Sequence, residues 1–249
     1  MPRIPDKSID MILCDLPYGT TRCKWDAIIP YESLLREYRR LIKDEGAIVL
    51  TASQPFTSTL IMSNLNEFRY SWVWDKKLPS GFLNSKIMPL KRHEDVVVFS
   101  KYRTPKYFPI MVERKKKRVD NRRDKTYGIE ESAYGVRKAL YGEYESKFPT
   151  SIIEFGNADQ SKKQHPTQKP VELFEYLIKT YTNEGDVVLD NCIGSGTTAV
   201  ACINTKRNFI GIELEEKYYK IALERIAQTP RPFDSSKQTT NGEKNGSNN

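Results

Sequence analysis

At 249 residues, 38% hydrophobic and with a formal net charge of +8, the chain is long enough for one large α/β core carrying an insertion, or at most two domains. No apolar run approaches the ~18 residues of a membrane span and no signal-peptide pattern is present, so a soluble cytoplasmic protein with no membrane partner is expected. Two histidines, His93 and His165, are too few for a metal site, and four cysteines, Cys14, Cys23, Cys192 and Cys202, lack Cys-x-x-Cys spacing and point to a reducing compartment.

Taken in chain order, the apolar run from Ile9 to Cys14 predicts a strand that ends in Asp15-Leu16-Pro17-Tyr18. An exocyclic amine on adenine or cytosine is a poor nucleophile because its lone pair is delocalised into the ring. A catalyst must accept hydrogen bonds from the amine protons and favour a tetrahedral nitrogen. Asp15 and the carbonyl of Leu16 supply two acceptors, Pro17 shapes the turn, and Tyr18 offers a face for stacking. Read alone, the tetrapeptide is also a buried strand ending in a proline turn with Asp15 as a cap. Gly19, Thr20 and Thr21 follow as a flexible rim.

Tyr31 to Lys43 predicts a helix with Leu34, Leu35, Tyr38, Leu41 and Ile42 on one face, and Gly46 to Thr51 the next strand. Pro55 to Leu65 reads as helix; Tyr70 to Asp75 and Asp95 to Ser100 read as strands forming an antiparallel edge. Between those two, Lys76 to Arg92 carries Pro79, Ser80, Gly81 and Asn84 and reads as a loop beside the site or a plain connection.

Lys101 to Ile153 reads as an inserted region of weak periodicity. From Lys101 to Lys125 there are eleven Lys or Arg against three acids, a net of +8 that equals the charge of the whole chain. Arg114, Lys115, Lys116, Lys117, Arg118, Arg122 and Arg123 are the candidate DNA-phosphate contacts, with a solvated basic loop as the alternative. Further on, Val171 to Thr182 predicts a helix. Asp186 to Leu189 is a β-branched run, Gly194 and Gly196 permit a tight turn, and Thr197 to Ile203 continues as helix. The helix start attracts an anion. Asn208 to Ile212 predicts a strand ending at Glu213, 23 residues after Asp190, the position at which a carboxylate holds a ribose diol in nucleotide-binding α/β units. Gly-Ser-Gly-Thr lacks the third glycine of the dinucleotide fingerprint, so a mononucleoside such as S-adenosylmethionine fits better than NAD; plain strand-turn-helix punctuation is the other reading. Residues 228–249 are compositionally biased and read as a disordered tail.

Together, Asp15-Leu16-Pro17-Tyr18 and Asp190-Asn-Cys-Ile-Gly-Ser-Gly-Thr-Thr198 resemble the amino-group DNA methyltransferases, whose catalytic pattern is Asp/Asn/Ser-Pro-Pro-Tyr/Phe/Trp. His165-Pro166-Thr167-Gln168-Lys169-Pro170 resembles the segment by which that family closes over the methionine end of the cofactor. The order, with the catalytic motif first and the cofactor motifs last, is that of the beta subclass, and the likeness runs from Pro5 to Ile226. It implies a doubly wound, mainly parallel α/β sheet: residues 1–100 as the catalytic half, 101–153 as an inserted target-recognition region, and 154–227 as the cofactor half. It further implies S-adenosylmethionine as cofactor, held by His165, Thr167, Lys169, Asp190, Gly194, Gly196, Thr197 and Glu213, with Lys169 as the anion partner. Double-stranded DNA is the implied substrate, its target base flipped out of the stack. Asp rather than Ser at position 15 favours adenine N6 over cytosine N4.

Two departures stand out. Leu16 replaces the first proline of the usual pair, which removes a fixed φ but keeps the accepting carbonyl. The sequence also begins about eight residues before the catalytic strand, where the family carries more. RNA or protein-glutamine methylation, and a catalytically inactive DNA-binding subunit, remain as rivals; oligomeric state, a homodimer included, is left open.

Overall fold

A computed structural model describes residues 1–20, 23, 26–102, 104–121, 141–157 and 168–231. The chain divides into two compact units, Met1–Phe108 with Ser151–Asn249, and Pro109–Thr150. In the larger unit a seven-stranded sheet is built from β1 (Ile9–Asp15), β2 (Ile42–Ala52), β3 (Phe68–Ser80), β4 (Lys91–Phe99), β7 (Ile152–Glu154), β8 (Val187–Asp190) and β9 (Asn208–Gly211). Their order is β7-β3-β4-β2-β1-β8-β9. β1 pairs in parallel with both β2 and β8, and β8 with β9. β4 is antiparallel to both its neighbours, while β7 is parallel to β3. This is the doubly wound, mainly parallel sheet expected.

The central strands are buried on both faces, so they read as near-continuous apolar runs rather than alternating ones. In β1, Ile12 and Cys14 pack into one core layer with Leu34, Leu35, Tyr38 and Leu41 of helix α1 (Tyr31–Leu41). Met11 and Leu13 enter the opposite layer with Leu173, Leu177 and Ile178 of helix α3 (Val171–Tyr181). Helix α2 (Phe56–Ser63) adds to the first layer through Phe56 and Leu60, and helix α4 (Thr197–Asn204) to the second through Ala201 and Cys202. Helix α5 (Glu216–Gln228) follows β9. No helix among the described residues is long and apolar enough to cross a membrane.

Several local readings are corrected. The helix expected to run to Lys43 ends at Leu41, and Ile42 turns to an extended conformation and pairs with Ile9 as the first residue of β2. Ile42 satisfies a helical period, but its buried place in the sheet core overrides that local preference. The two strands expected as an antiparallel edge are longer, and neither is the edge. β3 and β4 form a hairpin inside the sheet, only β4 is reversed, and β7 covers the outer side of β3. The segment Lys76–Arg92 is largely the far end of that hairpin, with a 3-10 turn at Phe82–Asn84.

In the smaller unit, β5 (Val112–Asn121) and β6 (Tyr141–Lys147) form an antiparallel ribbon. The basic run Arg114–Arg118 lies on β5, where Arg114 Nε donates to the Ser146 carbonyl at 3.0 Å and Lys117 pairs with Glu143 and Glu145. Arg122 and Arg123 lie outside the described residues.

Candidate active site

The strand order reverses its sense between β1 and β8: β1 leads through α1 to β2 on one side, and β8 through α4 to β9 on the other. In open α/β sheets the crevice at the carboxyl ends of such strands is where ligands bind. Here Asp15 ends β1, Asp190 ends β8 and Glu213 follows β9 by two residues. All three border one cavity of about 800 Å³, together with Leu16, Pro17, Tyr18, Lys169, Gly194 and Thr197. The sequence-predicted catalytic and cofactor residues that are described therefore line a single cavity, apart from Gly196, which lies in the turn behind its wall between Ser195 and Thr197. His165 and Thr167 lie outside the described residues.

The Asp15 carboxylate is heavily engaged. Its Oδ1 lies 2.9 Å from the Tyr18 hydroxyl and accepts from the Thr51 hydroxyl, and its Oδ2 accepts from Lys169 Nζ at 2.7 Å. Lys169 is 9% exposed, and its ammonium also lies 3.6 Å from Glu94 Oε2. Burial pushes the Lys169 ammonium down, but the Asp15 and Glu94 carboxylates outweigh it and hold the pKa above the ordinary lysine value. Burial likewise pushes the Glu94 carboxyl up, and Lys169, Lys76 and Lys91 more than reverse it. Lys169, expected to meet the cofactor's anion, bridges two carboxylates. Leu16 is 4% exposed and packs into the core layer beneath the turn. Tyr18 stacks on Phe56 with ring centroids 5.0 Å apart, and burial, then Asp15 and Glu94, raise its phenol well above the usual range.

On the opposite wall, Gly196 adopts φ +84°, which favours glycine, and a Cβ there would meet Ala222 of α5 at 3.1 Å. This close approach starts α4 directly from the turn. Gly194 N–H donates to Glu213 Oε2 at 2.8 Å and Glu215 N–H to Glu213 Oε1 at 2.9 Å. The Asp190 carboxylate accepts from the Cys192 N–H at 3.0 Å and from the Thr198 hydroxyl. Burial pushes Asp190 up to about 6 despite those two hydrogen bonds. From the same core layer as Leu16, Tyr38 donates to Asn191 Oδ1 at 2.6 Å, tying α1 to the turn.

Sequence reasoning missed Glu94, Thr51, Ser53 and Lys76. Because β4 alone runs backwards, its first residues, not its last, reach the carboxyl edge of the other strands, and Glu94 arrives beside Asp15's partner. Lys76 of β3 pairs with Glu94, and Lys91 donates to Ser53 just beyond β2. The one local signal was a pair of acids, Glu94 and Asp95, opening the apolar run Val96–Phe99. No group of three His, Cys, Asp or Glu among the described residues is placed to hold a metal ion.

Residues 9–224 match the family model N6_N4_Mtase, described as DNA methylase. Type II methyltransferase M.HpaI of Haemophilus parainfluenzae is 28% identical over 94% of this chain and 73% of its own length. DNA adenine methyltransferase YhdJ of Escherichia coli K12 is 27% identical over 91% of this chain and 79% of its own. Among solved structures, the M1.HpyAVI–SAM complex superposes with a TM-score of 0.56 at 26% identity, covering 87% of this chain and 88% of that one. With the two motifs facing each other across one crevice and the family match spanning the sheet from β1 into α5, the chain belongs to the N6/N4 DNA methylase family.

Proposed function

We propose that this chain methylates the N6 amine of adenine in double-stranded DNA, with S-adenosylmethionine as methyl donor. The observation that carries the reading is the shared cavity: the Asp15–Tyr18 turn and the Asp190–Thr197 turn face the same 800 Å³ space. The residues present fit the cofactor. An ionised carboxylate offers about four lone-pair sites; Glu213 has given two to backbone N–H groups, and two remain for a ribose diol. Leu214, 93% exposed on the cavity wall, would be covered by a purine ring. Asp190, Gly194 and Thr197 would border the methionine portion, and Gln168 and Lys169 its far wall.

S-adenosylmethionine supplies an electrophilic methyl group. Asp15 accepts a hydrogen bond from the target amine and the Leu16 carbonyl a second, which localises the nitrogen lone pair for attack. Three donors already meet Asp15, so the amine either takes the last acceptor site or displaces one of them. As the acceptor of an amine proton, the same carboxylate can receive the proton that the methylated nitrogen must shed. Tyr18 stacks on the base, which must leave the duplex to reach the cavity.

Adenine rather than cytosine is favoured by Asp15 at the first motif position; the family includes both amine targets. The test is expression in a methylation-free host followed by single-molecule sequencing of its DNA. N6-methyladenine at a defined site is expected, and Asp15→Ala should abolish it while leaving cofactor affinity within about threefold, since the carboxylate faces the amine. N4-methylcytosine would reassign the base. Near-normal methylation by Asp15→Ala would refute the catalytic assignment.

A further inference from the structure

Beyond Asp75 the β3–β4 hairpin is irregular: Asp75 pairs with His93 and Ser80 with Lys91, so β3 carries three extra residues there, and Lys77 sits at φ 65°. Ser80 and Lys91 both border the active-site cavity, and the chain continues past them into a turn at the cavity rim. That turn is built rather than slack. Asn84 N–H donates to the Gly81 carbonyl at 2.9 Å, and Ile87 and Met88 N–H both donate to the Asn84 carbonyl at 3.0 Å. Gly81 holds φ +87° with nothing within 4 Å of an added Cβ.

On this ordered turn four large apolar side chains face solvent, Phe82 at 65%, Leu83 at 101%, Ile87 at 77% and Met88 at 52% exposure, and Leu78 at the adjoining end of β3 is 71% exposed. A cluster of that size on one turn marks an interaction surface. The stretch 76–92 also holds five Lys or Arg and no acid. Lys76 and Arg92 are bound to Glu94 and Asp75 and Lys91 to Ser53, while Lys77 and Lys86 are exposed at the turn. An apolar knob carrying the exposed positive charges of Lys77 and Lys86 complements a polyanion with an apolar interior, which describes stacked duplex DNA. Apolar side chains inserted between base steps unstack them and stabilise distorted DNA. Taking a base out of the stack also leaves a space to be filled.

We infer that the Gly81–Met88 turn is a wedge that enters the duplex beside the target base and holds it unpaired, with Phe82 and Leu83 at its point; this rests on the methyl-transfer reading above. The test compares wild type with the double variant Phe82→Ala/Leu83→Ala on two synthetic duplexes carrying the site found by sequencing. In one the target base is paired; in the other it faces an abasic position and is already unpaired. On the paired duplex kcat/KM of the variant should fall by about tenfold or more, and on the abasic duplex it should stay within about threefold of wild type. Melting temperature should not change, because neither side chain is buried. Equal losses on both duplexes, or no loss on either, would overturn the wedge while leaving the methylase activity standing. A variant altered only in sedimentation would assign the knob to a second copy of this chain and likewise overturn it. A wild-type chain that methylates no DNA at all would overturn the underlying activity and the wedge with it.

Discussion

Lys169→Met removes the cation that bridges Asp15 and Glu94 while keeping most of the buried stem. The lysine side chain is 9% exposed and its two partners 20% and 11%, so solvent screens the contacts weakly. Removing one member of a buried ion pair costs about 3–5 kcal/mol because the other charge is left uncompensated. Glu94 keeps Lys76, and Asp15 keeps its two hydroxyl neighbours, so the lower end applies: about 3 kcal/mol, or roughly 6–12 °C in melting temperature for a chain of this size. The pH dependence has a definite sign. In the wild type, burial raises the Glu94 carboxyl and the lysines outweigh it, so its pKa lies below the ordinary value. Its stabilising contribution is present above the unfolded pKa and is lost as pH falls through the folded one. With Lys169 gone, the main counter-charge is missing and burial drives the carboxyl upward. Protonation then relieves the variant, so its deficit should shrink between about pH 7 and about pH 5. Urea unfolding of both proteins at the two pH values measures this. A variant as stable as wild type at neutral pH, or a deficit that does not move with pH, would refute the bridging role.

Glu213→Ala should weaken S-adenosylmethionine binding by about 10- to 100-fold, since it deletes the proposed diol acceptor and strands the Gly194 and Glu215 N–H groups; unchanged affinity by calorimetry would remove Glu213 from the cofactor site. Leu16→Pro keeps the accepting carbonyl but gives up a side chain that is 4% exposed, so stability should drop by about 1–3 kcal/mol with turnover of the folded fraction preserved. Soluble, folded and wholly inactive Leu16→Pro would mean that the turn needs its own backbone geometry. Changing Lys115, Lys116 and Lys117 together to Gln should lower the slope of log K against log salt by about 2, at about 0.9 per neutralised phosphate contact, because Lys117 is already shared with Glu143 and Glu145. Site choice should survive, since phosphate contacts position and base contacts specify. An unchanged slope would return the ribbon's basic run to a solvated surface.

The two motifs of the candidate site were legible because each is written in neighbouring residues. Asp15 to Tyr18 closes an apolar strand, and Asp190 to Thr198 forms a strand, a glycine turn and a helix start, so both could be read from local pattern alone. Even the 23-residue spacing to Glu213 is a property of one strand-helix-strand unit. What the pattern does not carry is the order in which strands lie side by side. Lys169 meets Asp15 across 154 positions of chain, and Tyr38 meets Asn191 across 153. Glu94 reaches the site only because β4 is reversed, and Ile42 is a strand residue only because Ile9 lies beside it. The burial of Leu16 is set by the same assembly. Such contacts depend on the packing of whole elements, where the gain from burying two faces of a sheet outweighs the weak preference of any single residue. Hence the sequence by itself determined which candidate groups border the crevice, and only the tertiary structure decided which charges surround them.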